Sequence, residues 1–242
     1  MRSESKFNIF DAAMGLLAAV ILESVTTLIW LQITHSKLST INGPLSVGQE
    51  ISGFIGLWLG FIGSPYLESK IRGSKNFIKD IGLSVKWQYD VVVGLIAGVA
   101  CQFILVNALY FPFELISKTL KHSLSQPAQN LTAASGATGF YFEIFLVVVI
   151  APIAEEIFFR GFLLRALMDS LKNRTKYYAG ISIIVSGLTF GLVHGELLQF
   201  PALALFGMVL AFIAFRTNRI GTTIFAHMGF NAVAAVMLIR AR

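Results

Sequence analysis

The chain alternates between long apolar runs and short polar stretches along its whole length. A helix of about 20 apolar residues crosses the ~30 Å hydrocarbon core of a bilayer, and seven runs approach that length. They cover residues 7–33, 47–67, 91–111, 139–164, 178–194, 197–215 and 220–239. An eighth span results if residues 113–125 also enter the bilayer. The pattern predicts an all-α, polytopic integral membrane protein with seven or eight transmembrane helices.

Composition supports a membrane protein and argues against a nucleic-acid-binding one. Of the 242 residues, 55% are hydrophobic and 13% are charged, whereas soluble domains carry about 25% charged residues. The net charge is +6, but the basic residues form short clusters between apolar runs, which is typical of cytoplasmic loops. We therefore expect one membrane domain over residues 1–242, in contact with the lipid bilayer and without a nucleic-acid partner.

The distribution of charge in the loops also predicts the orientation. With seven spans, most loop lysines and arginines fall on the side of the N-terminus, and positively charged loops face the cytoplasm. The first apolar run is too long for the core of a signal peptide, and no small-residue cleavage site follows it. The sequence therefore predicts an uncleaved first helix and a cytoplasmic N-terminus.

The stretch over residues 151–165 places charge inside an otherwise apolar run. Glu155 and Glu156 are adjacent, and Arg160 follows Glu156 by four residues, so Glu156 and Arg160 share one face of a helix. An ion pair that fixes helix packing would explain these two residues. It does not explain the second carboxylate, because ionisable groups at membrane depth are costly and usually mark a functional interior. We therefore predict a polar site within the helix bundle here.

Two further pairs of residues have the same spacing of four. Phe190 and His194 share one helix face, and His227 and Asn231 share another. A lone histidine in a membrane helix is often only hydrogen-bonded to a neighbouring helix. Three polar clusters on three helices, against so apolar a background, favour one shared site. Phe190 would form a wall of the pocket.

The same residues permit a metal ion. Two histidines and two carboxylates are sufficient for a zinc site with three or four ligands, and Glu155, His194 and His227 are the candidate ligands. The H-E-x-x-H pattern of soluble zinc proteases is absent. A divalent metal such as zinc and a metal-free site therefore both stay open.

The three clusters together resemble the motifs of a known family. E-E-I-F-F-R at 155–160, F-G-L-V-H at 190–194 and H-M-G-F-N at 227–231 occur in that order. They resemble the E-E-x-x-x-R, F-x-x-x-H and H-x-x-x-N patterns of the CPBP intramembrane proteases. That family includes the type II CAAX prenyl endopeptidases and bacterial proteins linked to bacteriocin processing or immunity. The resemblance places a catalytic core at about 139–240, whereas the first 138 residues match only as membrane helices.

The resemblance implies a role for each residue. Glu155 would activate water with help from His194, and His227 and Asn231 would stabilise the oxyanion or help to hold a metal. The ion pair that Glu156 forms with its arginine partner would support the site. Members of the family have been described both as metalloproteases and as metal-free, glutamate-dependent enzymes.

The implied function is hydrolysis of a peptide bond in a membrane-associated or prenylated, CAAX-type protein, in a bacterial cell membrane. Arg160 would then be a supporting residue and not a reactant. One alternative is a non-catalytic membrane scaffold or bacteriocin immunity protein. Another is a proton-coupled transporter that uses Glu23, Glu155 and Glu156 as relay groups, although the sequence has no inverted repeat of the kind common in transporters.

Overall fold

The computed structural model describes residues 7–35, 46–114, 123–124, 129 and 137–241. Within these ranges every regular element is helical. Among the described residues, four helices are long and apolar enough to cross a membrane by length and composition, and the shorter Tyr178–Val193 is also apolar. The predicted all-α, polytopic membrane fold is confirmed. The eighth span expected at 113–125 lies mostly outside the described residues.

Eight helices have defined bounds in the described part of the chain. They are α1 (Ile9–Thr34), α2 (Val47–Ile71), α3 (Phe77–Ile81), α4 (87–114), α5 (137–171), α6 (Tyr178–Val193), α7 (Phe200–Thr217) and α8 (Gly221–Ala241). Each of the seven predicted apolar runs corresponds to one of the long helices. The short α3 falls in what the sequence suggested was only a basic loop.

Helices α4 and α5 each contain π-helical turns. In α4, Cys101–Val106 is π-helical. In α5, the π-helical segments are Leu146–Ile150 and Ile157–Leu163, and the α-helical segment Ala151–Glu156 lies between them. Single π-helical turns within α-helices often occur at functional sites. The helix with the two adjacent glutamates is therefore irregular on both sides of them.

Helix α5 extends to Leu171 and not only to the predicted end at residue 164. Polar residues there suggested a loop, but Arg165 is buried and donates a hydrogen bond to the carbonyl of Asn218. The longer helix puts Glu155 about 24 Å from its C-terminal end, at 1.5 Å rise per residue. His194 lies about the same distance from the start of α6, so the two residues can meet at one depth.

Small residues allow the helices to approach closely. A Cβ atom at Gly60 of α2 would clash with the backbone of Ala19 in α1, and one at Gly98 of α4 would clash with the carbonyl of Ala226 in α8. Close backbone contact through small residues is a common means of helix association in membranes. These contacts hold α1 against α2 and α4 against α8, which carries His227.

The core of the bundle surrounds the second π-helical segment of α5. All seven residues of Ile157–Leu163 are buried. Phenylalanine side chains from five helices meet there, and the buried ones include Phe61, Phe158, Phe159, Phe162, Phe190, Phe206 and Phe230. This aromatic core fixes α5, α6, α7 and α8 around the acidic residues of α5.

Candidate active site

Two adjacent glutamates of α5 have different environments. Glu156 is completely buried, whereas the side chain of Glu155 is 14% exposed. The difference arises because neighbouring residues on a helix point in directions about 100° apart. One carboxylate therefore faces the protein interior, and the other faces the accessible part of the site.

Glu156 forms a buried ion pair with Arg160. Its Oε1 lies 2.6 Å from Nη1 of the arginine, and both side chains have no exposed surface. The guanidinium also donates from Nη2 to the carbonyl of Gly207 in α7 at 3.0 Å. Its Cζ lies 4.5 Å from the ring centroid of Phe190, within the range of a cation–π contact. Arg160 thus joins α5, α6 and α7 while its charge stays paired.

His227 of α8 contacts both glutamates. Its Nδ1 lies 3.1 Å from Oε1 of Glu156, and its Nε2 lies 3.8 Å from Oε2 of Glu155. An ionised carboxylate only accepts hydrogen bonds, so we assign the Nδ1 proton to His227. The edges of Phe190 and Phe206 pack on the imidazole at centroid distances of 5.4 and 5.6 Å. The ring is fixed on three sides, and its Nε2 points towards Glu155.

His194 approaches Glu155 from the end of α6. Its Nδ1 lies 2.7 Å from the carbonyl oxygen of Phe190, which can only accept, so this nitrogen also carries a proton. Its Nε2 lies 4.0 Å from Oε2 of Glu155. The side chain is 30% exposed, which makes His194 the most accessible of the clustered residues.

Three acceptor atoms therefore face one another. They are Oε2 of Glu155 and the Nε2 atoms of His194 and His227. Within the described residues, this oxygen is buried without a hydrogen-bond partner. Its separations from the two nitrogens exceed the length of a direct hydrogen bond and suit a bridging water molecule. The arrangement can accept protons from such a water.

The chemistry of these donors resembles a zinc site, but their spacing does not. Zinc-bound histidines commonly donate their other ring N–H to a carboxylate or a carbonyl, as His194 and His227 do. Ligand atoms about 2.05 Å from a tetrahedral zinc ion are about 3.3 Å apart. The observed separations from Glu155 are 3.8 and 4.0 Å. No group of three or more His, Cys, Asp or Glu side chains in the described chain is arranged to hold a metal ion. The predicted metal stays a prediction.

Asn231 lies outside this cluster. It occupies the same face of α8 as His227, but its Nδ2 donates to the carbonyl of Val147 in α5 at 2.9 Å. The structure thus brings together five of the six predicted residues and places Asn231 against the first π-helical segment of α5. Phe190, predicted to form a wall of the pocket, is fully buried beside Arg160 and the two histidines.

Some residues of the site were not predicted. Gly207 supplies a backbone carbonyl to Arg160, and Phe206 packs on His227. Neither residue has a sequence signal, because one acts through its backbone and the other resembles any apolar core residue. The contact of Asn231 with the carbonyl of Val147 was also not predicted.

One family model matches the part of the chain that carries the three motifs. Residues 137–233 match the family model described as "Type II CAAX prenyl endopeptidase Rce1-like". The match begins at the start of α5, ends within α8 and contains all three motifs. The resemblance to the CPBP family is confirmed.

A curated relative comes from Bacillus subtilis (strain 168). It is named "Putative membrane peptidase YdiL" and is 29% identical over 164 residues, which cover 67% of this chain and 60% of the relative. The match thus spans about 60% of the length of that relative. No solved structure matches the chain.

Proposed function

We propose that the protein is an intramembrane endopeptidase that hydrolyses a peptide bond of a membrane-associated substrate, with prenylated CAAX-type proteins as the candidate substrate class. One observation carries the proposal. Oε2 of Glu155 is buried without a hydrogen-bond partner in the described part of the chain and faces Nε2 of both His194 and His227 at about 4 Å. A carboxylate held this way can act as a general base towards water.

Glu155 would first remove a proton from the attacking water. A water bound between its Oε2 and Nε2 of His194 would donate to both atoms, which orients the oxygen lone pair towards a substrate carbonyl. As the water oxygen attacks the carbonyl carbon, one of its protons passes to Glu155. The carboxylic acid then returns that proton to the leaving amine nitrogen, so that the C–N bond breaks and the carboxylate is restored.

His227 would stabilise the negative charge that develops on the substrate oxygen. Its Nδ1 proton points to Glu156, so Nε2 would donate to the oxyanion in the ring's doubly protonated form, which takes its second proton from solvent before the water attacks. A donor held in place before the reaction is more effective than a mobile one, because no reorganisation is needed in the transition state. Glu156 and Arg160 would act by holding this ring.

The site also contains features suited to an apolar substrate. Phe190 and Phe206 form its buried walls, and Leu192, Leu197 and Leu198 are exposed around the end of α6 beside His194. An apolar peptide or lipid-modified chain can cover this side of the site. Exclusion of water would strengthen the electrostatic interactions inside it.

The proposal is tested with detergent-purified protein and a pool of peptides that includes prenylated CAAX peptides. Mass spectrometry follows new cleavage products, and Glu155→Gln protein is the control. Products formed only by the wild type would establish the protease and identify the cleaved bond. No product from folded wild-type protein would favour the alternative of a non-catalytic scaffold or immunity protein, in which Glu155→Gln should have no effect.

A further inference from the structure

His194 caps the C-terminal end of α6, where the helical hydrogen bonding stops. In a continued α-helix, the backbone N–H of His194 would donate to the carbonyl of Phe190. That N–H donates to the carbonyl of Leu192 instead, and the carbonyl of Phe190 accepts from Nδ1 of the imidazole at 2.7 Å. Helix ends fray more readily than helix interiors. The position of His194 therefore depends on how the chain after it is held.

The connection between α6 and α7, residues 195–199, begins with residues that contact little of the protein. Gly195 has a φ of +70°, and a Cβ atom placed there would meet no atom of the described residues within 4 Å. Glu196 is exposed, and Leu197 is 88% exposed. Side-chain packing at these three positions cannot fix the connection, so its restraint has to come from the residues that follow.

Tyr110 of α4 provides such a restraint. It is buried, and its hydroxyl donates to the carbonyl of Leu198, 88 residues away in the sequence. At the next residue, Nε2 of Gln199 donates to the carbonyl of Leu124 at 2.8 Å. Two adjacent residues of the connection are therefore tied to other parts of the chain, and the tie to α4 lies four residues after His194.

We propose that Tyr110 is a positioning residue for His194: its hydroxyl ties the connection to α4, which keeps the end of α6 ordered and Nε2 of His194 beside Glu155. Tyr110 acts through the connection and does not touch the reacting atoms. A displacement of about 1 Å in a catalytic group can reduce a rate about 100-fold. The effect on catalysis rests on the proposed protease function, whereas the tie between Tyr110 and the connection does not.

Hydrogen–deuterium exchange of the detergent-purified protein tests this tie without an activity assay. Tyr110→Phe removes one oxygen atom and keeps the buried ring, so the protein should fold. Amides in residues 190–200 should exchange about 3- to 10-fold faster than in the wild type, as expected for the loss of one buried hydrogen bond. Amides around His227 should exchange at the wild-type rate. Unchanged exchange over 190–200, or an equal increase throughout the protein, would overturn the proposal.

Peptide cleavage tests the effect on catalysis. We expect Tyr110→Phe to lower kcat about 10-fold with little change in KM, because His194 would act on the water and not on peptide binding. In a His194→Ala background, the same change should lower the remaining kcat no more than about 2-fold. An equal loss in both backgrounds would show that Tyr110 acts by another route. If the wild type cleaves no peptide, the protease function fails, and the exchange rates still decide whether Tyr110 holds the connection.

Tyr177 offers a matched control. It is 65% exposed and directly precedes α6, at the opposite end of that helix from His194. Tyr177→Phe makes the same chemical change and should leave kcat and the exchange of residues 190–200 unchanged. If it alters them as much as Tyr110→Phe does, the effect is a general one of removing a tyrosine hydroxyl, and the specific role of Tyr110 is refuted.

Discussion

His227 donates from Nδ1 to Oε1 of Glu156 at 3.1 Å, and this contact directs its other nitrogen to Glu155. The same carboxylate oxygen of Glu156 accepts from Arg160 at 2.6 Å. One fully buried carboxylate therefore connects the structural ion pair of α5 to the imidazole of α8. The two adjacent glutamates therefore have different contacts, since Glu156 orients the imidazole of His227, whereas Oε2 of Glu155 makes no hydrogen bond within the described residues.

Glu155→Gln should abolish peptide cleavage without unfolding the protein. An amide cannot act as the base, and loss of a general base typically costs 10²- to 10⁴-fold in rate. The folded state should be preserved, since Oε2 of Glu155 makes no hydrogen bond within the described residues. Cleavage rates and Tm are compared with those of Glu196→Gln, a matched change at an exposed glutamate two residues after His194. Cleavage by Glu155→Gln at the wild-type rate would exclude this residue as the base.

Arg160→Met should destabilise the protein strongly. Removal of one member of a buried ion pair leaves an uncompensated charge on Glu156, which typically costs about 3–5 kcal/mol. The double variant Glu156→Leu/Arg160→Met should recover much of the free energy of unfolding, because no buried charge remains. It should not recover activity, since His227 has then lost the acceptor of its Nδ1 proton.

Chemical denaturation of the detergent-solubilised protein measures the free energy of unfolding of both variants. Lys172→Met is the control for the ion-pair argument, because Lys172 pairs with Asp169 at 2.7 Å on the surface. Exposed pairs contribute only about 0–1 kcal/mol. If Arg160→Met and Lys172→Met lower the free energy of unfolding equally, burial of the Glu156–Arg160 ion pair does not contribute to its effect on stability.

Chelation should leave activity intact. The distances of 3.8 and 4.0 Å from Glu155 to the two histidines are wider than those in a tetrahedral zinc site. We expect the purified protein to hold well below one zinc ion per protein molecule. We also expect it to cleave peptide after treatment with a chelator. Loss of activity on chelation, with recovery on addition of zinc, would show instead that the histidines close around a metal ion.

Contacts between residues four apart on one helix could be predicted from the sequence, because helix geometry places such residues on the same face. The spacing of four between Glu156 and Arg160 placed them on one face, and the structure has their ion pair. The Asn231 contact could not be predicted from spacing alone, because its partner depends on a local π-helical turn next to Pro152. The end of α5 was missed for a related reason, since hydropathy does not distinguish a loop from a helix whose polar side chains, such as Arg165, are paired inside the protein.

A second pair of carboxyl groups joins α5 to another helix. Glu50 of α2 is hydrogen-bonded to Glu143 of α5, and both side chains are buried. Two ionised carboxylates in contact repel each other, and a proton held between them removes this repulsion. Nothing in the proposed reaction uses this pair.

If the protein is a protease, the substitution Glu50→Gln should therefore leave its activity and stability nearly unchanged. Its amide N–H can donate to Glu143 in place of the shared proton, so cleavage rate and Tm should stay close to the wild-type values. Glu50→Leu removes the partner and should lower the free energy of unfolding by about 1–3 kcal/mol. In a proton-coupled transporter whose relay includes Glu50 besides Glu23, Glu155 and Glu156, by contrast, loss of this titratable group should stop proton-linked flux. Measurement of peptide cleavage and proton flux for Glu50→Gln in liposomes separates the two functions: retained cleavage supports the protease, and wild-type flux that this variant abolishes would support the transporter.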